Sequence, residues 1–484
     1  MELVEAVDTL INDVLQRILN QEELATETRL IMALPFREGG LGMNNPFSLH
    51  AEIYLASLLD CVANGLATRL PARLTVADPL QAPLPDHPWY QAYHQVIENN
   101  PESVTEVFAS KNPDGESYDP ADASFPLFHP HDGPLIMKQV GSRIVEKKWQ
   151  RTLTSSALAE RLGNYLRSGA ATPETKITQR TLLVHLAEQS THVSGIPFRI
   201  PSWSFHTRLT AEQFLFNLRY RLRIDLPGEF PEKCPLASCK TSCSSGYHVA
   251  KCSLGNGRRN HHDQIQSTFI ELANSTGAGY RAVVGSPFSE AWNGVTPVAP
   301  VEGVKNTKRI RPDIVGRTGY GDFVTLDMSS KTSAGAVQTK VDKMIDENRT
   351  NSKNINVNEI VSLIAHQVGM KEAMKVEKYK ERAKNQGLGI IGLGISMGGV
   401  LGPSFATEFK RIASSATSTL RTKVENVHKF MVMRFAFALM RIRYQAFCEA
   451  RGSFAKRISK QRTDVGIDPR DEIEIRKMWD IDSQ

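Results

Sequence analysis

The residues best suited to chemistry in this chain lie between Cys234 and Lys378. Two acids, Asp313 and Asp327, stand fourteen positions apart in RPDIVGRTGYGDFVTLDMSSK. The segment reads as two strands: 311–315 enters, Thr318-Gly-Tyr-Gly321 turns, and 323–328 returns. On neighbouring strands the two carboxylates would converge on one magnesium ion, because hard oxygen ligands suit that metal. Such an ion positions a water, polarises a phosphate and offsets developing charge. A lysine is wanted beside it to stabilise a pentavalent phosphate. Lys331 follows Asp327 too late for the alternate position on one strand. Lys375 and Lys378, in the helical pattern KEAMKVEKYKERAK, are the two candidates that a helix could fold back over the acids.

Upstream of the acids, four of the six cysteines fall within nineteen residues, in CPLASCKTSCSSGYHVAKC. Thiolate and imidazole at short spacing complete a tetrahedral zinc shell that closes a loop too small to have its own core. Cys234, Cys239, His248 and Cys252 are the preferred set, with Cys243 competing for a place. A full protein shell leaves no open position, so this zinc would be structural. Cys61 and Cys448 read as buried thiols.

Arg258, Arg259, Asn260, His261, His262 and Asp263 open a helix whose apolar face carries Ile265, Phe269, Ile270 and Leu272. His261, His262 and Asp263 would cap it or face a phosphate. Gly387, Gly389, Gly392 and Gly394 spell GxGxxG, but a Lys- and Glu-rich helix precedes them where a dinucleotide site needs a strand. They read instead as a loop before a buried strand at Ile390–Val400. The uncharged run from Asn385 to Thr407 holds seven glycines, which suits a buried strand and turn rather than a membrane span.

The elements around these residues occupy 484 positions, more than one core usually serves. An amphipathic helix begins the chain, with Leu3, Val4, Val7, Leu10, Ile11, Val14, Leu15, Ile18 and Leu19 on one face. Met1-Glu-Leu-Val-Glu is acidic and unlike an export signal, so an intracellular, reducing setting is expected. Between Lys410 and Arg462 there are 13 Lys and Arg against two acids, a surplus of eleven where the whole chain has +6. That excess attracts polyanions. Within it, a helix from Asn426 to Ala450 mixes large apolar residues with Lys429, Arg434, Arg441 and Arg443, and would bury one face and offer the other to phosphates.

Several of these segments carry a resemblance. LPFREGGLGM followed by HAEIYLAS resembles the region after the reverse transcriptase palm in non-LTR retrotransposon polyproteins. The later order is similar too: a Cys, Cys, His, Cys knuckle ending in His248-x-x-x-Cys252, a His261-His262-Asp263 helix start where the family has Arg-His-Asn, then Arg311-Pro312-Asp313. Asp327 at a strand end, Lys378-Tyr379 and Gly398-Gly399 follow. The resemblance implies a restriction-enzyme-like endonuclease, with Asp313 and Asp327 as magnesium-binding catalytic acids and Lys378, or Lys375, as the catalytic lysine. It implies a zinc knuckle that helps bind a double-stranded DNA target, element RNA or the reverse transcriptase portion as further partners, a nuclear or otherwise intracellular location and no membrane. The implied activity is a nick that exposes a 3′ end for target-primed reverse transcription; a non-catalytic nucleic-acid-binding remnant is the other reading. No YxDD-type polymerase box occurs, so this chain would not itself copy RNA.

Both readings predict an α+β protein. A helical thumb-like segment (1–70) and a Pro-rich helical connector (71–233) lead to a zinc knuckle (234–260). An α/β restriction-endonuclease-like core with a small central sheet (261–413) and a basic helical tail (414–484) follow.

Overall fold

The computed structural model describes residues 2–43, 149–169, 172–199, 207–228, 230, 232–234, 245–248, 257–282, 312–316, 319–328, 331–352, 354–385, 387–420 and 423–464. The Pro-rich part of the expected connector, Cys239, Cys243 and Cys252 lie outside them. The described chain is α+β, mostly helical with one small mixed sheet. It divides into two compact units.

The first unit comprises Met1–Pro35, Leu41–Lys176 and Met344–Asn356. Its helices α1 (Glu2–Leu19), α2 (Thr26–Ala33) and α3 (Trp149–Ser168) bury Leu15, Leu19, Ile31, Met32, Leu158, Leu162 and Leu166. Tyr165 donates its hydroxyl to Glu27 at 3.0 Å. The apolar stripe of α1 is broader than the face it buries: Leu10 is 63% exposed and Ile18 48%. Helical spacing puts both subsets on one half of the helix, and packing selects the Leu15–Leu19 edge.

The second unit comprises Phe36–Gly40, Ile177–Lys343 and Val357–Gln484. It holds the sheet, whose order is β1 (Arg281–Ala282), β2 (Ile314–Val315), β3 (Gly319–Leu326), β4 (Gly389–Ser396). The first three run antiparallel in succession, and β4 lies parallel to β3 in unbroken register from Gly319↔Gly389 to Leu326↔Ser396. A parallel neighbour needs a long crossover. Here that crossover contains α8 (Lys331–Asn351) and α9 (Val357–Asn385).

The unit also holds most of α4 (Pro173–Gln189), with α5 (His192–Gly195) and α6 (Ala211–Leu222), and helices cover both faces of the sheet. On one side, α7 (Gly257–Ser275), α10 (Pro403–Leu420) and α11 (Val424–Asp464) meet Ile314, Phe323, Leu393 and Ile395 in a core that includes Ile265, Phe269, Phe405, Phe409 and Phe435. On the other side α9 buries Ile364, Val368, Glu372, Tyr379 and Ala383, a ridge at near-fourfold spacing. Glu372 accepts from the N–H groups of Gly394, Ser404 and Phe405, which ties α9 to β4 and to the first turn of α10. Burial raises its pKa and the three backbone donors oppose that rise.

The GxGxxG glycines therefore serve packing: the buried strand is there, but Gly389, Gly392 and Gly394 lie within it rather than in a loop before it, and α9 lies almost on its backbone. A Cβ on Gly392 would come within 2.4 Å of the Glu372 carbonyl oxygen. Backbone atoms cannot step aside as a side chain does, so Gly392→Ala is expected to cost about 1–3 kcal/mol. Thermal unfolding of the variant checks this, and an unchanged midpoint would count against the close approach.

The β2–β3 hairpin turns earlier than the sequence suggested. Gly319, Tyr320 and Gly321 are strand residues, and the link closes with the Gly316 N–H donating to Gly319 O at 2.8 Å. Glycine signals a turn by default, but here it makes room between neighbours. A Cβ on Gly319 would meet Gly389 O at 2.5 Å, and one on Gly321 would meet the Ile314 side chain at 2.7 Å.

The basic C-terminal helix belongs to the core rather than forming a tail. α11 buries Met431, Phe435, Phe437, Met440 and Phe447. Three of its arginines hold partners within the unit. Arg434 pairs with Glu271 at 2.6 Å, Arg441 donates to Arg208 O, and Arg443 lies 4.5 Å over the Tyr220 ring.

Candidate active site

The earlier turn decides which acids meet. Ile314 pairs with Gly321 and Val315 with Tyr320, so the same register sets Asp313 opposite Asp322. The Asp313 N–H donates to Gly321 O at 3.0 Å. Alternation along β3 sends Phe323 into the aromatic core and Asp322 to the face that α9 covers. There Lys375 on α9 brings its ammonium within 2.7 Å of Asp322 Oδ2.

Asp313 is held from the other side. The Phe323 N–H donates to its Oδ2 at 2.7 Å, and His262 Nε2 on α7 lies 3.3 Å from the same oxygen. His262 also stands 3.2 Å from Asp263 through Nδ1 and edge-on to the Phe323 ring at 6.2 Å. Gln266, one turn further along α7, donates to Asp313 O at 2.6 Å. His262 and Asp263 are thus within the helix that begins at Gly257, not at its cap, and only the helix start remains as read from sequence.

The electrostatics of the group follow from burial and mutual contact. Burial drives the Asp322 carboxyl up, the Asp313 charge adds to the rise, and Lys375 offsets part of it, leaving Asp322 at about 7. For Asp313 burial acts upward too, but the His262 and Phe323 hydrogen bonds prevail and hold it below the usual carboxylate range. Burial lowers His262 while Asp313 and Asp263 raise it further, to about 9. At neutral pH the arrangement sets an imidazolium against an ionised Asp313, beside an Asp322 carboxyl raised well above the usual range. Its neighbour His261 is 2% exposed and held neutral, near 3, by burial and by the charges of Arg443 and His262.

No protein-family model, curated protein or solved structure matches the chain. Any assignment of this site rests on its own chemistry.

Of the residues expected from sequence, Asp313 is in this group and Asp327 is not. Asp327 follows the last residue of β3, five positions past Asp322, which is about 16 Å along a strand. The structure does not bring Asp313 and Asp327 to one ion. The lysine at the acids is Lys375. Lys378 lies one turn on, donating to the Tyr379 hydroxyl at 3.1 Å with its ammonium 4.8 Å from that ring. Asp322 was missed in the sequence because its neighbours Gly319 and Gly321 read as a turn. The signal that could have found it was the pairing Pro312-Asp313 against Gly321-Asp322, which needs the register in advance.

Among the described residues no three His, Cys, Asp or Glu side chains form a ready metal shell. Magnesium asks for less, since it is commonly held by one or two carboxylates with waters and substrate oxygens. Two aspartates facing each other across β2 and β3 fit that demand. Of the expected zinc ligands, Cys234 and His248 are described. Cys234 is buried, outside any disulfide, against Phe216, Tyr220, Leu226 and Phe447, and Tyr247 packs on the same patch. Cys234 and Tyr247 thus pack on one patch.

Proposed function

We propose that this protein is a magnesium-dependent DNA endonuclease whose acids are Asp313 and Asp322 and whose cation is Lys375. The observation that carries this reading is the facing acid pair on β2 and β3 with an ammonium 2.7 Å from the inner carboxylate. The strand order, with β2 antiparallel to its neighbours and helices on both faces, supports a restriction-endonuclease-like core. The resemblance to the endonuclease region of non-LTR retrotransposon polyproteins supplies DNA as the substrate, and with it a nuclear site of action and the reverse transcriptase portion as a partner.

Asp313 and Asp322 would hold the metal, which when bound polarises the scissile phosphate and activates water. The chain's own residues do the rest. Phe323 N–H and His262 fix the Asp313 carboxylate through Oδ2. Asp322, which burial and Asp313 hold near 7 without a metal, would be kept ionised by the cation it binds. Lys375 offers positive charge where the phosphate becomes more negative. Water adds to phosphorus, the bond to the 3′ oxygen breaks, and a 3′ hydroxyl and a 5′ phosphate remain.

Zinc held by Cys234, Cys239, His248 and Cys252 would add to the packing of Cys234 and Tyr247 on the Phe216–Phe447 patch. No helix among the described residues is long and apolar enough to cross a membrane.

The test is conversion of supercoiled plasmid to nicked circles with magnesium and with chelator. Asp313→Asn should reduce nicking at least a hundredfold. Equal nicking by the variant, or nicking that survives chelation, would overturn the assignment. DNA binding without any metal-dependent nicking would instead mark a non-catalytic remnant, in which His262 and Lys375 serve only to neutralise the acids.

A further inference from the structure

On α9 three lysines follow the i, i+4, i+7 rule: Lys371, Lys375 and Lys378. At about 100° per residue they fall within an arc of about 60°, so they form one stripe along the helix. The middle lysine is the one whose ammonium reaches Asp322. The other two stand one turn before and one turn after the acid pair.

Neither outer lysine has an acidic partner among the described residues. Lys371 Nζ lies 3.7 Å from Met374 Sδ, and Lys378 leans on Tyr379. The acids of this helix are committed elsewhere or lie off the stripe. Glu372 is buried against the start of α10, and Glu377 pairs with Lys380 at 3.7 Å. This contrasts with α11, whose Arg434 and Arg443 are occupied within the unit. The stripe thus sets two lysines without an acidic partner among the described residues beside the acids.

We propose that the Lys371–Lys375–Lys378 stripe is the track on which the cleaved DNA strand lies, with Lys371 and Lys378 holding phosphates on either side of the scissile one. From Lys371 to Lys378 the helix rises about 10 Å, the axial rise of roughly three nucleotides at about 3.4 Å each. One phosphate at the acids and one beyond it in each direction span two such steps, about 7 Å, which falls within that length. The inference rests on DNA being the substrate; it does not require that cutting be observed.

The experiment measures binding of a labelled duplex by anisotropy over a range of salt, in chelator, so that cleavage plays no part. Each of Lys371→Ala and Lys378→Ala should reduce the slope of log affinity against log salt by about 0.9, and the double variant by about twice that. Lys384→Ala, on a different side of the same helix, should leave the slope unchanged, and circular dichroism should show all the variants folded. A double variant with the parent's slope overturns the track even if the parent nicks DNA. So does an equal loss in Lys384→Ala, absence of salt-dependent binding by the parent, or preference for an RNA duplex. If the slopes fall as expected and no variant or parent nicks, the track stands and the nuclease reading alone fails.

Discussion

Asp322→Asn is expected to lower magnesium-dependent nicking roughly a thousandfold, while Asp327→Asn stays within a few-fold of the parent. The two acids lie five residues apart on or beside one strand, yet only Asp322 faces Asp313 and Lys375. A loss confined to Asp327→Asn would show that the register of the β2–β3 hairpin does not define the site. The same substitution has a second consequence, in stability. Asp322 has a folded-state pKa near 7, above the ordinary aspartate value. The folded protein therefore binds more protons than the unfolded chain as pH rises from about 4 to above 7, and this group's contribution to stability falls through that window. Asparagine removes the charge, so Asp322→Asn should be more thermostable than the parent at pH 8, and the gain should be smaller at pH 5. A gain independent of pH would mean that the buried charge of Asp322 is not its source. An inactive variant that is also more stable is the pattern expected where a buried acid is kept for chemistry.

Phe269→Ala should destabilise the second unit by about 3–5 kcal/mol, the usual cost of emptying a buried aromatic site. Its ring lies 5.4 Å from Tyr280, 5.5 Å from Phe323, 5.5 Å from Phe405 and 5.9 Å from Phe409. The cavity would open at the junction of α7, β3 and α10, whose packed rings leave little room to close over it. Urea unfolding followed by far-ultraviolet circular dichroism measures the effect, with an earlier midpoint and an unchanged slope. A loss under about 1 kcal/mol would show that the aromatic cluster collapses around the gap. Because Phe323 belongs to this cluster and its N–H holds Asp313 Oδ2, the variant should also lose nicking activity while still folded.

Aromatic packing on one face of the sheet and acids on the other follow from one alternation along β3, and that alternation was only half legible beforehand. The sequence alone determined the elements with a strong period: the α7 face of Ile265, Phe269 and Leu272, the buried β4 inside an uncharged stretch, and the helical character of 371–384. These are local properties, since an apolar residue every three or four positions makes a helical face whatever it packs on. It also placed Asp313 in a strand and two lysines on a helix that could fold back over the acids.

Only the tertiary structure decided the register of the hairpin, and with it the exchange of Asp327 for Asp322. Glycine at 319 and 321 fits a turn as well as a close strand contact, and the atoms that decide between them belong to Gly389, Ile314 and Leu393. The choice of Lys375 over Lys378 has the same origin. Both extend from one side of α9, and the angle at which Glu372 and the β4 glycines seat that helix determines which ammonium reaches the acids. The arginines of α11 make the complementary case. Their charge invited a phosphate-binding reading, but Tyr220, Glu271 and backbone carbonyls brought in from distant parts of the chain hold them within the fold. Charge and period are written in the sequence, whereas which charges end up facing one another depends on contacts between segments tens to hundreds of residues apart.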